Sequence, residues 1–357
     1  MQIIEDYRAL HRIPELGRVL PKTHDYLYKS LAGLPCQAFS PADGSICAWF
    51  DFGKDRTLAF RADIDALPVE ESTGLPYASC HPGQMHACGH DGHTAILLDF
   101  ARRITRNRPP RRNVLLIFQC AEETDGGAKA ICDSGVLEAY GVEAVFGLHL
   151  WPGLSKGTIF SRKGAMMSRS CEVTAHITGR SAHITQSGGV DALAAGVAFY
   201  TKAQALGVRF GKLISGNARN CISGHTVLEG TLRTHDDGAF SRIRTALLAL
   251  AEEIRQQTGC GVDLIVSEGY PAVNNPAWLY DKVQQLSPIQ SLPSPALATE
   301  DFSFYQRRIP GIFFFLGLGD TPPLHAPDFH FDEALLPIGA ALWETIAHKL
   351  QFIEQIL

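Results

Sequence analysis

Between residues 57 and 160 the chain alternates short apolar runs with segments whose apolar residues recur at helical spacing, and no other feature constrains the fold as strongly. The runs 57–60, 114–118 and 145–150 are predicted strands, and 95–104 and 128–137 are predicted helices between them. Parallel strands need long crossover connections, which helices commonly provide. The alternation therefore predicts an α/β fold with helices on both faces of a mostly parallel sheet.

The pattern changes near Gly164. In residues 171–178 apolar and polar side chains alternate, as in an antiparallel strand with one exposed face. The predicted elements that follow are a helix (191–206), a strand (226–234), a helix (243–254) and a strand (262–266). These elements predict a small α+β unit with helices on one side of an antiparallel sheet.

The α/β character resumes after residue 275, with a predicted buried strand at 312–318. We therefore expect a catalytic domain formed by residues 1–164 and 273–357. An α+β lid domain, residues 165–272, is predicted to be inserted in it.

The composition indicates which partners and which cellular compartment to expect. Of 357 residues, 45% are hydrophobic, and the net charge of -5 comes without a basic cluster, which argues against nucleic acid as the main partner. The nine scattered cysteines favour reduced thiols in a cytoplasmic protein. The first 17 residues do not resemble a signal peptide, and the apolar runs are too short to cross a membrane. We expect a cytoplasmic protein with neither nucleic-acid nor membrane partners.

The densest group of metal-binding side chains lies in residues 86–93, whose sequence is HACGHDGH. Cysteine, histidine and aspartate all ligate divalent metals, and the two glycines let the backbone bend so that alternate side chains converge. The alternative is a capped helix start with incidental histidines. Three histidines, one cysteine and one aspartate within eight residues favour a metal site.

Further metal-competent side chains follow the predicted strands. They are Asp63, Asp65, Glu122, Glu123, His149 and His325. In an open parallel sheet, functional sites form at the carboxyl ends of the strands. Adjacent carboxylates such as Glu122 and Glu123 point in different directions, so one can bind metal while the other transfers a proton. A solvated acidic pair is the alternative.

Several motifs extend this pattern along nearly the whole chain. They are HRIPELG (11–17), RADIDALP (61–68), HACGHDGH (86–93), FQCAEE (118–123), GLHLWP (147–152), TEDFSFY (299–305) and LHAP (324–327). In this order they resemble the aminoacylase and metallocarboxypeptidase family of dinuclear amidohydrolases. They look most like its branch of hippurate hydrolases, auxin-conjugate hydrolases and N-acetyldiaminopimelate deacetylases.

The resemblance implies a role for each matching residue. The implied metal ligands are Cys88, His90, Glu123, His149 and His325, with Cys88 bridging two ions. Glu122 is the implied general base, Asp65 orients a ligand, and His183 is a catalytic lid histidine. Asn220 and Arg233 are the implied pair that holds the substrate's carboxylate. His86 and His93 are expected to be structural or to support ligands.

The expected cofactor is a pair of divalent ions, with Zn²⁺ or Mn²⁺ expected ahead of Co²⁺ or Ni²⁺. The implied activity is hydrolysis of the amide bond of a small N-acyl amino acid, which releases a carboxylic acid and a free amino acid. The resemblance also allows a homodimer formed through the lid domain.

The sequence leaves the substrate and some alternatives open. Residues 184–188 lack a histidine near a proline that the family's lid motif usually has, and residues 165–170 lack an expected aspartate. Both changes concern the acyl pocket. A metallodipeptidase or carboxypeptidase, a cysteine hydrolase that uses Cys88, and a non-catalytic metal-binding protein are the alternatives.

Overall fold

The computed structural model describes residues 1–106 and 108–352, which form two compact units. The larger unit comprises Met1–Met166, Asn274–Ser294 and the described part of Asp301–Leu357. The smaller unit comprises Met167–Val273 and Pro295–Glu300. The segment 295–300 falls within the predicted catalytic domain. It joins the smaller unit because the Ser168 backbone N–H donates to the carbonyls of Ala296 and Ala298, each at 3.0 Å.

The elements are numbered in chain order. The helices are α1 (Gln2–His11), α2 (Pro21–Leu31), α3 (His90–Arg106), α4 (Ala128–Asp133), α5 (Val136–Ala139), α6 (Ala192–Ala205), α7 (Asp237–Thr258), α8 (Ala277–Gln284), α9 (Ser303–Gln306) and α10 (Leu336–Lys349), with a 3₁₀ turn at Glu333–Leu335. The strands are β1 (Gln37–Phe39), β2 (Ile46–Phe50), β3 (Thr57–Asp63), β4 (Asn113–Gln119), β5 (Val142–Pro152), β6 (Ile159–Ser161), β7 (Gly164–Ala165), β8 (Arg169–Thr178), β9 (Ala182–His183), β10 (Arg209–Ser215), β11 (Cys221–Ile222), β12 (His225–Thr234), β13 (Gly261–Val266), β14 (Asn274–Asn275), β15 (Gln290–Ser291) and β16 (Gly311–Gly319).

In the described part of the larger unit, eight strands form one sheet in the order β1-β2-β4-β3-β5-β16-β6-β15. Strand β3 runs parallel to both β4 and β5, and β5 runs parallel to β16. Strands β1, β2 and β6 add antiparallel pairings. Every residue of β3 and β4 is buried, as expected for parallel strands covered on both faces. The predicted α/β class is confirmed.

Aromatic side chains hold α3 against this sheet. The ring of Phe60 in β3 lies 4.7 Å from that of Phe100 in α3 and 5.3 Å from that of Trp343 in α10. All three side chains are fully buried, and burying such a side chain contributes about 2–3 kcal/mol. This packing fixes the first turn of α3 relative to the end of β3.

Helix α3 begins five residues earlier than the predicted start at residue 95. Two polar side chains support the additional turn. Asp91 accepts the backbone N–H of Gly92 at 2.8 Å, and the Thr94 hydroxyl donates to the His90 carbonyl at 2.7 Å. Because His90 and His93 are three positions apart on this helix, they lie on the same face.

The smaller unit contains an antiparallel sheet in the order β10-β12-β8-β13. In β8, the side chains of Val173, Ala175 and Ile177 are buried and pack with residues of α6 and α7. Asp191 caps α6 by accepting the N–H groups of residues 193 and 194, and Gly259 ends α7 with φ 72°. The opposite face of the sheet carries polar side chains. Among the described residues, every helix is too short or too polar to span a bilayer.

Candidate active site

The carboxyl ends of three parallel strands and the first turn of α3 meet at one site in the larger unit. Asp65 follows β3, two glutamates follow β4, His149 lies in β5, and α3 begins at His90. The predicted site residues that the structure brings together here are Asp65, Cys88, His90, Glu122, Glu123, His149 and His325.

Cys88 belongs to two groups of potential metal ligands. One group adds His90 and His149, the other adds Glu123 and His325, and within each group the donor atoms lie within 4.8 Å of one another. The Cys88 Sγ to His149 Nε2 distance is 3.4 Å, and the His325 Nε2 to Glu123 Oε1 distance is 3.2 Å. Donors around one tetrahedral zinc ion are separated by roughly 3.3–3.8 Å, given bonds of about 2.0–2.3 Å. The arrangement fits two ions that share Cys88.

An unsatisfied buried atom supports the same interpretation. In the described structure, His90 Nε2 is buried and makes no hydrogen bond; it lies 3.8 Å from Glu123 Oε1, which pairs with His325 Nε2 at 3.2 Å. A buried polar atom without a partner is destabilising by about 1–3 kcal/mol. A cation held by Cys88, His90 and His149 would give His90 Nε2 a partner, so the residues fit a metal ion.

Backbone carbonyls orient the two buried candidate ligands His90 and His149. His90 Nδ1 donates to the Asp65 carbonyl at 2.9 Å, and His149 Nδ1 donates to the Leu150 carbonyl at 2.7 Å. A carbonyl only accepts, so both Nδ1 atoms carry hydrogen and both Nε2 atoms face the site. This is the orientation that a histidine ligand needs.

Asp65 also organises the loop that carries the two glutamates. Its carboxylate accepts the backbone N–H groups of Glu122 at 3.1 Å and Glu123 at 3.2 Å. The preceding residue, Ala121, has φ 58°, and His325 has φ 66°; they are the two non-glycine residues with positive φ in the described chain. Such backbone strain, of order 1 kcal/mol or more, concentrates at functional sites.

The charges of the site favour a bound cation. Although burial opposes it, the carboxylates of Asp63 and Asp65 raise the pKa of His90 to about 10. Burial, followed by the charge of Glu123, raises the pKa of the Cys88 thiol well above its usual range. Burial lowers the pKa of His149 to about 3, which keeps its ring neutral, as metal binding requires. Without a cation, Cys88 is therefore protonated and a poor nucleophile.

The other three predicted residues lie in the smaller unit and are exposed. His183 in β9 and Asn220 beside β11 are neighbours, with Nε2 and Nδ2 3.4 Å apart. Arg233 lies near the far end of β12, eight residues beyond His225, which corresponds to roughly 26 Å of strand. Asn220 and Arg233, the pair that the resemblance implies, thus lie towards opposite ends of β12 along the chain: Asn220 precedes the strand, and Arg233 is near its far end.

The structure also identifies a buried arginine that the sequence analysis did not single out. Arg61 lies in β3, and its side chain is 1% exposed and paired with Asp63 and Asp301 at 2.8 Å each. In the sequence, Arg61 stands out as a charged residue directly after the predicted buried strand 57–60, and it is the first residue of the motif RADIDALP.

Curated relatives match almost the whole chain. The N-acetyldiaminopimelate deacetylase of Lacticaseibacillus paracasei is 32% identical over 370 residues, which cover 96% of this chain and 96% of that protein. The enzyme of the same name from Lactiplantibacillus plantarum is 31% identical and covers 98% of this chain and 96% of its own length.

Solved structures share the fold. A Bacillus subtilis protein described as a dinuclear metal-binding peptidase of the M20 family superposes with a TM-score of 0.88 and 30% identity, covering 97% of this chain and 96% of its own. A protein from methicillin-resistant Staphylococcus aureus superposes with a TM-score of 0.91 and 29% identity, covering 96% and 95%. The family model "Peptidase family M20/M25/M40" matches residues 59–349, which confirms the predicted resemblance. The chain belongs to peptidase family M20/M25/M40.

Proposed function

We propose that this protein hydrolyses the amide bond of small N-acyl amino acids at a site that binds two divalent ions. Family membership and the deacetylase relatives identify it as a metal-dependent amidohydrolase. The observation that carries the proposal is the pair of ligand groups that share Cys88. The relatives' name describes removal of an acetyl group from an amino acid, which agrees with the proposed substrate class.

Cys88, His90 and His149 would hold one ion, and Cys88, Glu123 and His325 the other. Thiolate, imidazole and carboxylate donors suit Zn²⁺ and Mn²⁺, the metals we expect, and also accept Co²⁺ and Ni²⁺. When bound, such ions polarise the substrate carbonyl and make water more acidic.

Glu122 is the proposed general base. Its carboxylate lies within 4.8 Å of donor atoms of His90 and Glu123, yet neither ligand group that shares Cys88 needs it. Glu122 would accept a proton from the attacking water. It would then donate that proton to the amide nitrogen, so that the amino acid leaves as a neutral amine.

Residues of the smaller unit are proposed to bind the substrate. His183 would donate a hydrogen bond to the oxyanion, and Arg233 or Asn220 would bind the free carboxylate. Since β12 separates Asn220 from Arg233 along the chain, the proposal includes a homodimer formed through the smaller unit, in which the two residues that bind one carboxylate come from different protomers.

The cytoplasm is the proposed compartment. All nine cysteines are free among the described residues, as in proteins kept in reducing surroundings. The proposed partners are small-molecule substrates, with no role for nucleic acid or a membrane.

The test is a hydrolysis screen on metal-free protein reloaded separately with Zn²⁺, Mn²⁺, Co²⁺ or Ni²⁺. We expect cleavage of acetyl- or benzoyl-amino acids, loss of activity on chelation, and recovery when metal is returned. Preferential cleavage of dipeptides would instead support a metallodipeptidase. Activity that resists chelation but disappears on thiol alkylation would support a cysteine hydrolase, which the raised pKa of Cys88 disfavours.

A further inference from the structure

A chain of hydrogen bonds leads from Arg61 towards the ligand His149. Arg61 donates from Nη1 to Asp63 and from Nη2 to Asp301, each at 2.8 Å, and from Nε to Gln119 at 2.9 Å. Gln119 Nε2 and the Ala128 N–H also donate to Asp301. The guanidinium is therefore held in one plane by groups from three segments of the larger unit. One Asp63 oxygen is committed to Arg61.

The second Asp63 oxygen accepts a hydrogen bond from His93 Nδ1 at 2.5 Å. On the other side of the ring, His93 Nε2 accepts the backbone N–H of Leu150 at 2.9 Å. These partners define the tautomer, because Nδ1 must carry the hydrogen and Nε2 must present its lone pair. His93 thus joins the end of β3 to the backbone of β5.

Leu150 connects His93 to the ligand. Its N–H is bound by His93, and its carbonyl accepts the hydrogen of His149 Nδ1 at 2.7 Å. The rings of His93 and His149 also pack with centroids 4.5 Å apart at 66°. His149 Nε2 then faces Cys88 Sγ at 3.4 Å.

We propose that Arg61, Asp63 and His93 are positioning residues that hold His149 in its ligating tautomer and orientation. Both Asp63 oxygens accept hydrogen bonds from these residues, and we assign Asp63 a supporting role; its Oδ2 also lies 3.6 Å from His90 Nε2. The group Cys88, Glu123 and His325 has no member hydrogen-bonded to His93 in the described structure. Disrupting these hydrogen bonds should therefore weaken metal binding selectively at the group that contains His149. The inference rests on the proposed dinuclear function.

The first test uses His93→Asn, which keeps a donor for Asp63 but removes the acceptor for Leu150. In a His325→Ala background, where the His149 site remains, this change should weaken Zn²⁺ or Co²⁺ binding by about 10–100-fold, as is usual for lost support of a ligand. In a His149→Ala background, binding at the remaining site should change by less than about threefold, since that site does not depend on the chain. Calorimetric titration measures the metal affinity in both backgrounds. The absorption bands of bound Co²⁺ should change only in the His325→Ala background.

Two further variants separate positioning from general damage. Arg61→Lys keeps the charge beside Asp63 but loses the planar fork, and should weaken the same step to a smaller degree. His86→Asn is the matched control, because His86 is equally buried in the same segment and its ring makes no hydrogen bond in the described structure. It should leave both binding steps unchanged.

Equal weakening at both sites, or none at the His149 site, would overturn the proposal. Should a variant fail to fold, ¹H–¹⁵N spectra of histidine side chains in metal-free wild-type protein decide independently. They should show Nδ1–H tautomers for both His93 and His149. An Nε2–H tautomer of His93 would contradict the proposed series of hydrogen bonds. None of these measurements uses substrate. A wild type that binds two ions but cleaves no N-acyl amino acid would reject the proposed function alone.

Discussion

The two units differ in where they keep ionisable side chains. The larger unit buries many of them in paired arrangements, such as Arg61 with Asp63 and His11 with Asp91. In the described part of the smaller unit, Arg169 and Glu300 are the buried basic and acidic residues. Its candidate substrate-binding residues, His183, Asn220 and Arg233, are exposed.

This difference has a physical consequence for function. A buried charge is stable only with defined partners, so the groups of the larger unit hold fixed positions before anything binds. An exposed side chain loses rotational freedom only when a ligand contacts it. Substitutions of buried residues in the larger unit should therefore change chemistry or folding, whereas those of the proposed carboxylate-binding residues in the smaller unit should change substrate affinity. The following predictions test this division.

The largest effect is expected for Glu122→Gln in the larger unit. Turnover should fall by about 10²–10⁴-fold, because the amide cannot accept the proton, while bound metal and melting temperature stay unchanged. Steady-state kinetics and metal analysis check this. Glu123→Gln is the matched control and should lose metal together with activity. Near-normal turnover in Glu122→Gln would remove this residue from its proposed role.

The next effect contrasts a buried with an exposed ion pair. Arg61→Met should reduce the free energy of unfolding by about 3–5 kcal/mol, because Asp63 and Asp301 are left buried without their cation. Lys212→Met, which breaks an exposed pair with Glu229 in the smaller unit, should change it by less than about 1 kcal/mol. Urea unfolding measures both. Similar losses would contradict the division between the units.

The third prediction concerns the pH dependence of the larger unit. Burial opposes it, but hydrogen bonds to Asp91 and Glu71 raise the pKa of His11 from 6.5 to about 9. The contribution of protonated His11 to the free energy of unfolding is therefore fully present below pH 6.5. It is lost as the pH rises through 9, and the loss is at most about 3 kcal/mol. The pKa of Glu71 is lowered to about 2, despite burial, by the hydrogen bond to His11, so its contribution is lost only in acid as the pH falls from 4.5 through 2.

The variant His11→Asn provides the comparison for this pH effect. Between pH 6.5 and 9 the wild type should lose stability relative to the variant, as followed by unfolding at several pH values. Parallel curves over that interval would show that His11 does not carry the effect.

The smallest effect is expected for Arg233→Ala in the smaller unit. The Michaelis constant for substrates with a free carboxylate should rise about 10–100-fold, the equivalent of one charge-assisted contact, with little change in turnover. A substrate whose carboxylate is converted to an amide is the control and should be unaffected. A fall in turnover for both substrates would mean that Arg233 acts elsewhere.

The sequence predicted the parts of the site that depend on local pattern. Residues at strand ends and in the segment 86–93 could be assigned because buried parallel strands are apolar and end at a common edge. The predicted strand 57–60 stopped short of Asp63, since the polar Arg61 and Asp63 interrupt the apolar run. They are buried because they pair with each other and with Asp301, a contact 240 positions away that no local pattern reveals.

Other differences have similar origins. The predicted helix 128–137 is two helices, because Gly135 has φ 76° and ends the first one. Strand β10 has mostly exposed side chains and lacks the alternation that would identify it. The resemblance implied that Asn220 and Arg233 act as a pair, but the sequence did not reveal that β12 lies between them, with Arg233 near its far end.

The left-handed backbone at Ala121 and His325 bears on how the protein acquires its ions. The hydrogen bonds from Ala121 to Gly17 and from His325 to Ala87 maintain these bends by protein contacts alone. The loops that carry Glu122, Glu123 and His325 are thus preorganised, and loading them requires little loss of conformational entropy. Metal uptake should then be a rapid, reversible capture by a folded apoprotein, so that the supply of free metal can regulate the enzyme without a cycle of unfolding.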